Sequence, residues 1–253
     1  MMDLLIIILA SIFLPLFPMS MVFNSVLENV KQPWLRVVLF IAWPLIGLFI
    51  LSFSDADIPV WVLIIALITS TLYALRMLSL REVNQWNGFL ATSLWSLLWL
   101  AITQDTASTL LYSYAFSMSV PLALLVILSA GLEQRFGAAY TDLYGGLAQT
   151  IPCFAWTLVT VVVAAIATPL FPTFFIMFDM IVESITVMPL VAVALMLIWI
   201  LWSWAGARLI QGLIVGRRSN SKVVDLNGSA IGFYSSVLVA LMAGGIYLGG
   251  VIL

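Results

Sequence analysis

The sequence predicts an all-α polytopic membrane protein: a single membrane domain over 1–253 with about eight crossings, the sixth a discontinuous helix. Three observations carry that prediction. Hydrophobic residues make up 64% of the chain and charged residues only 8%, against about 25% charge in soluble domains. Apolar runs of about 20 residues, the length that spans a bilayer as helix, recur along the whole chain. The Lys and Arg residues fall in alternate connections, the asymmetry that orients membrane helices.

The runs are 4–23, 34–53, 59–78, 87–103 and 108–131, followed by a long apolar region over 147–211 and a last run over 229–252. The opening MMDLLIIILASIFLPLFPMSM carries Asp3, and the first cation, Lys31, comes after the apolar stretch. A secretory signal has the opposite charge order, so this run reads as a retained first crossing. Lys31 and Arg36 flank the first connection, and Asp55 and Asp57 occupy the second. Arg76 and Arg81 flank the third, Asp105 sits in the fourth and Arg135 in the fifth. Arg208, Arg217, Arg218 and Lys222 precede the final helix. Placing alternate connections inside puts every Lys and Arg in the cytoplasm and both termini outside, in a bacterial-type inner membrane. Arg217 and Arg218 with Lys222 read as an anchor for anionic lipid headgroups.

This partition constrains the long apolar region. Asp142 and Arg208 must lie on one side, so an even number of crossings separates them. About 65 residues give roughly 97 Å of helix. Two crossings of a ~30 Å core need only about 60 Å, and four would not fit. One crossing is therefore overlong or broken. Thr168-Pro169-Leu170-Phe171-Pro172 is the natural break, because Pro169 and Pro172 lack donors and disfavour helix just before them. The expected half-helices are 148–168 and 173–187, with crossing seven running from Pro189 to Gln211.

Composition excludes several kinds of chemistry. The chain has no His and one cysteine, Cys153. It cannot form an internal disulfide, a Cys/His zinc site, a bis-histidine haem site or a Cys-ligated iron–sulfur cluster, and no cofactor is expected. It lacks the basic field of a nucleic-acid binder. Cys153, inside an apolar run, reads as a small buried hydrophobe.

The residues able to carry chemistry are few. Asp179 lies about 10 Å along the helix that resumes at Pro172, at membrane depth. Glu183 is one turn further on the same face. An ionisable group there costs about 2.5–3.5 kcal/mol on insertion scales. Either the two acids form a proton or cation site at a broken helix, where unpaired carbonyls bind ions and water enters, or Glu183 reaches the outer interface while Asp179 bonds a neighbouring subunit. Glu133 and Arg135 close crossing five, as a solvated helix end or as a cytoplasmic mouth. Arg81 and Glu82 are positive-inside anchors or line cytoplasmic access. Crossings four and five are rich in polar residues, including Asn84, Asn87, Thr92, Ser93, Tyr114 and Ser117. These serve helix packing or carry a water wire. Gly245 and Gly249 form a small-xxx-small pair for close packing within the chain or against a partner.

Four stretches occur in a telling order: Ser79-Leu-Arg-Glu before one helix, Tyr144-Gly-Gly-Leu before another, the proline break followed by Asp179, and Arg208…Val215-Gly216…Asp225-Leu226-Asn227 before the last. Together they resemble the antiporter-like proton-translocating membrane subunits of respiratory complex I and related complexes. That family has a D-L-K-R-type loop, a G-G-L helix that breaks at G-L-P and resumes with Lys or Glu, and an R…F-G…D-L-N pattern. The resemblance covers 79–253, and more faintly 1–53. It implies two N-terminal crossings (1–53) joined to six (59–253) that match the C-terminal part of the family, hence a shortened, divergent member. Departures accompany it. No Lys lies within a crossing, the family's histidines fall near Ala91 and Ser117, and Gly-Leu-Pro has become Leu170-Phe171-Pro172.

The resemblance implies a subunit of an ion-translocating assembly that supplies a partial proton path or a scaffold. The assembly is either redox-driven or a bacterial inorganic-carbon uptake complex. The expected partners are other membrane subunits, among them a full-length antiporter-like sister, a cytoplasmic subunit, and lipid. A stand-alone proton-coupled carrier of a small solute and a purely structural subunit remain open alternatives.

Overall fold

The computed structural model describes residues 2–53, 58–104, 106–141, 145–216 and 223–252. Asp55, Asp57, Asp105, Asp142, Tyr144, Arg217, Arg218 and Lys222 lie outside the described residues. Among those described, all regular structure is helical: α1 (Met2–Phe13), α2 (Ser20–Asn29), α3 (Pro33–Leu51), α4 (Val60–Met77), α5 (Val83–Ser96), α6 (Leu98–Thr103), α7 (Ser108–Phe136), α8 (Leu147–Thr150), α9 (Pro152–Ala165), α10 (Pro172–Val187), α11 (Pro189–Ile214) and α12 (Gly228–Ile252). Proline opens α3, α9, α10 and α11, where its missing N–H has no intrahelical partner to lose. Gly137, with φ 81°, closes α7 in the left-handed conformation that glycine adopts most easily.

Five of these helices, α3, α4, α7, α11 and α12, are each long and apolar enough to cross a membrane. The chain is a multi-pass membrane protein. The remaining apolar segments are paired shorter helices. The straight first crossing expected over 4–23 is instead α1 and α2, interrupted at 14–19 around Pro15 and Pro18. The fourth begins earlier than expected, at Val83, and is interrupted at Leu97 between α5 and α6. The fifth runs through Gly131, where it was expected to end, and on to Phe136, stopping at Gly137 in the left-handed conformation. The half-helix expected over 148–168 is α8 and α9, since Pro152 restarts the chain after Ile151 and helix ends at Ala165.

Lipid offers no hydrogen bonds, so interrupted helices must satisfy their own free backbone groups. At the first interruption Trp43 Nε1 donates to the Ile12 carbonyl (3.1 Å), Trp99 Nε1 to the Leu14 carbonyl (3.0 Å), and the Phe17 amide to Thr69 Oγ1 (2.9 Å). Between α9 and α10, Thr168 Oγ1 donates to the Val163 carbonyl, Thr173 Oγ1 to Ala164 and Trp199 Nε1 to Ala167, all within 2.8–2.9 Å. These carbonyls are therefore occupied. The sequence-based expectation of ion-binding carbonyls at the break does not hold for them. Ala167 and Leu170 sit at positive φ, 58° and 84°, a conformation side chains resist.

Each of these two interruptions rests on a glycine of a neighbouring helix. A Cβ on Gly47 of α3 would meet Leu14 Cγ at 2.7 Å, and one on Gly245 of α12 would strike the Leu170 carbonyl. A Cβ on Gly249 would meet the Phe175 ring at 2.6 Å. The small-xxx-small pair thus packs within the chain, against the break.

At the end of the bundle that holds Arg81 and Arg135, loops distant in sequence lock together. Val83 N donates to the Ala139 carbonyl and Thr141 N to the Arg81 carbonyl. Gly145 and Gly216 meet backbone to backbone, each too close for a side chain. Asp225 accepts from the amides of Cys153 (2.8 Å) and Phe154 (2.9 Å), capping α9 from across the chain, while Asn227 Oδ1 accepts from Ala230 N to cap α12. Cys153 is exposed on the first turn of α9, contrary to its expected burial, because the capped face is the backbone one. Burial pushes the Asp225 carboxyl up, but hydrogen bonds from the Leu226, Cys153 and Phe154 amides outweigh it and hold it below its ordinary value.

Two outcomes follow from these contacts. Gly245→Ala destabilises the detergent-solubilised protein by about 1–3 kcal/mol through overpacking, whereas Gly244→Ala, with open space around it, leaves the thermal midpoint unchanged. The Asp225 cap contributes stability above the ordinary carboxylate value of 3.8 and loses it as pH falls through the lower folded value. Asp225→Asn therefore lowers stability at neutral pH and flattens the acid limb of a thermal-shift titration below about pH 4.

Candidate functional site

The central helices α5 and α6 are almost wholly enclosed by α2, α4 and α7. Their polar side chains bind neighbouring helices. Ser70 and Ser93 share a hydrogen bond (2.9 Å), Trp202 Nε1 donates to Ser93 Oγ (2.8 Å), and Trp95 Nε1 donates to Ser119 Oγ (3.2 Å). Thr92, Ser93 and Ser119 therefore hold helices together, whereas Ser96, Thr103 and Ser113 bond back to their own helices.

Two polar clusters differ from this pattern. In the first, Tyr114 of α7, fully buried, donates to Asp179 Oδ2 of α10 at 2.6 Å. Tyr114 lies about 9 Å from the start of α7, so the bond sits well inside the bundle. Asp179 is half-buried, and Glu183, one turn on, is exposed. Beside them Gln104, at the end of α6, donates to Ser184 Oγ (3.1 Å), while its buried Oε1 has no partner. Ser117 is half-buried one turn beyond Tyr114. Pro121, four residues further, withholds the amide that would pair with the Ser117 carbonyl.

The second cluster lies toward the other end of α7, about 22 Å away along the helix. Asn84 Nδ2 donates to Glu133 Oε1 (2.6 Å) and Ser129 Oγ to Asn84 Oδ1 (2.6 Å). Asn87, one turn deeper, donates to the Leu122 carbonyl (2.9 Å), and its buried Oδ1 has no partner. Glu133 and Arg135 serve different neighbours. Glu133 holds Asn84, whereas Arg135 donates to the Val224 carbonyl (3.0 Å) and covers the Phe154 ring, so it is more than a solvated helix end. Arg81 is exposed at this same end. Among the described residues no group of three or more His, Cys, Asp or Glu could hold a metal ion.

Sequence reading flagged Asp179 and Tyr114 separately but not their pairing, which joins positions 65 apart. It missed Gln104 and Ser129. The signal for the α7 irregularity was Pro121 inside an apolar run. A hydrogen bond to a carboxylate contributes about 1.5–3 kcal/mol. Tyr114→Phe should lose that much stability in wild type but little in an Asp179→Asn background. A double-mutant cycle by thermal unfolding measures it, and additivity within about 0.5 kcal/mol would mean the bond is energetically idle.

No protein-family model matches the chain. An uncharacterized protein of Aquifex aeolicus is 21% identical over 225 residues, 88% of this chain and 92% of its own. Among solved structures, a chain of respiratory complex I from Thermus thermophilus superposes with a TM-score of 0.85 at 21% identity, covering 98% of this chain and 55% of that one. A chain of the Mrp complex from Dietzia sp. gives 0.76 at 15% identity, covering 99% and 55%. A chain of the membrane-bound sulfane sulfur reductase, an archaeal respiratory membrane complex, gives 0.79 at 13%, covering 96% and 52%. The protein spans about half the length of these solved chains. It has the fold shared by chains of these three membrane complexes.

Proposed function

We propose that the protein is a shortened antiporter-like membrane subunit of an ion-translocating, complex-I-related assembly, and that Tyr114 and Asp179 belong to a partial proton path. The observation that carries this reading is the Tyr114–Asp179 hydrogen bond, a titratable carboxyl held inside the bundle just beyond a broken helix. Its Tyr donor and Gln104 nearby, with an unpartnered Oε1, supply the exchangeable protons and acceptor sites a relay needs.

In this reading the chain crosses the membrane eight times. The five long helices each cross once, and α1/α2, α5/α6 and α9/α10 each cross as an interrupted pair. The end bearing Arg36, Arg81 and Arg135 is cytoplasmic, and both termini face outside. Helices up to residue 53 stand for the family's start and 59–253 for its C-terminal part. Asp179, with Glu183 toward the outer interface, takes the outer half of the path. Glu133, held by Asn84 and Ser129, takes the inner half. No Lys stands between them, so conduction depends on neighbouring subunits rather than on this chain alone. The partners are other membrane subunits, among them a full-length sister and a cytoplasmic subunit, in a redox-driven or an inorganic-carbon uptake complex.

Purification in mild detergent should recover the chain with further membrane subunits. The complex, reconstituted in liposomes with its driving reaction running, should take up protons, and Asp179→Asn should reduce that uptake about tenfold or more without loss of assembly. A monomer that transports solute, or unaltered uptake in the assembled variant, would contradict the proposal.

A further inference from the structure

A cavity of about 130 Å³ opens between α2, the start of α3 and the start of α5, separate from the Tyr114–Asp179 pair. Its polar wall is Asn24, Glu28, Arg36, Glu82, Asn84 and Gln85. We propose that this cavity is a hydrated, cation-selective vestibule through which protons enter the chain from its arginine-bearing end; its use for protons rests on the function proposed above.

Charge, space and connection support this assignment. In the lining itself two carboxylates stand against one guanidinium, with Arg76 outside it behind the Phe89 ring, and a cleft with low-dielectric sides concentrates counter-ions to its lining charge. Arg36 is tethered, its Nε donating to the Val30 carbonyl at 2.6 Å, so its charge holds one place on the wall. The groups facing Glu82 are Glu133, Arg36, Tyr140 and Glu28. Burial, then Glu133, pushes the Glu82 carboxyl above its ordinary value, so it takes up a proton more readily than a free glutamate. The volume admits several waters, and the wall offers each of them polar partners.

The cavity also leads inward. Asn24 Nδ2 donates to Thr92 Oγ1 (3.1 Å), and Asn84 joins Ser129 and Glu133. One turn deeper stands Asn87, whose Oδ1 is buried and has no donor among the described residues, the mark of a position served by water. Gly88 lets α2 lie close against α5 beside the cavity, because a Cβ there would meet both Asn24 Oδ1 and Leu27 Cδ2 at 2.8 Å. The wall needs α2 and α3 as much as α5, so the N-terminal helices contribute half of the vestibule.

The test uses the full complex in native membranes, in a Cys153→Ser background, with Gln85→Cys as the reporter. Leu27→Cys on the opposite wall replaces it if that variant fails to assemble. Each thiol is treated with a cationic and an anionic membrane-impermeant methanethiosulfonate. The cationic reagent should be favoured about tenfold over its ratio on a free thiol, the effect of one unit charge at roughly 6 Å in an intermediate dielectric. Adding Glu28→Gln and Glu82→Gln should return the ratio toward that of the free thiol. Thiols inert to both reagents, or a ratio blind to charge or to the two substitutions, overturn the vestibule. In reconstituted complex Glu82→Gln should slow proton uptake severalfold. Unchanged uptake in that variant overturns the intake role alone, whereas a wild type that takes up no protons overturns the proton path and leaves the vestibule to the reagent ratio.

Discussion

Every backbone amide and carbonyl inside a bilayer must find its partner within the protein, and the architecture follows from how this chain meets that demand where its helices stop. The interruptions at 14–19 and 166–171 use the same device. Long indole side chains from other helices reach the freed carbonyls: Trp43 and Trp99 at the first, Trp199 at the second. A glycine on a packed neighbour, Gly47 or Gly245, lets the irregular backbone lie flush. The indoles need their own helices nearby, so satisfying the first break ties down α3 and α6, and satisfying the second ties down α11 and α12. Tyr114 can reach Asp179 because α10 restarts at Pro172 in a position set by these contacts.

Apart from these bonded carbonyls, the polar side chains that stand out lie at two depths. Helix α7 carries both, with Tyr114 near one end and Ser129 and Glu133 near the other. Between them Pro121 frees the Ser117 carbonyl, and Asn87 binds the Leu122 carbonyl with one acceptor to spare. Buried polar atoms without partners are expensive and rare. Two amide oxygens here, of Gln104 and Asn87, lack partners among the described residues, one at each depth.

Much of this was legible in the sequence. Alternation of Lys and Arg with Asp across the connections leaves excess length in 147–211, and helix stops at Ala165 and resumes at Pro172, around the prolines the sequence offers. Pro15 and Pro18 carried the same message at the first crossing. It was masked there because 4–23 fits one bilayer span in length, so no excess residue demanded a break. Cys153 misled because an apolar run does not reveal which face a helix turns inward. The pairing of Tyr114 with Asp179, and of Gln104 with Ser184, depends on helices brought together across 65 and 80 positions. The cavity walls come from 24–36 and 82–89, two segments distant in sequence that pack closely at Gly88. Periodicity and spacing within one segment cannot show such meetings.

In the proposed path Asp179 exchanges a proton inside the assembled membrane protein while bonded to Tyr114, and infrared difference spectroscopy of the complex across a pH step measures this directly. A carboxyl C=O band should vanish in Asp179→Asn and shift in Tyr114→Phe, because removing the donor at 2.6 Å alters the same group. A spectrum in which neither substitution changes any carboxyl band would mean that Asp179 does not titrate there, and the proton path would have to be sought elsewhere.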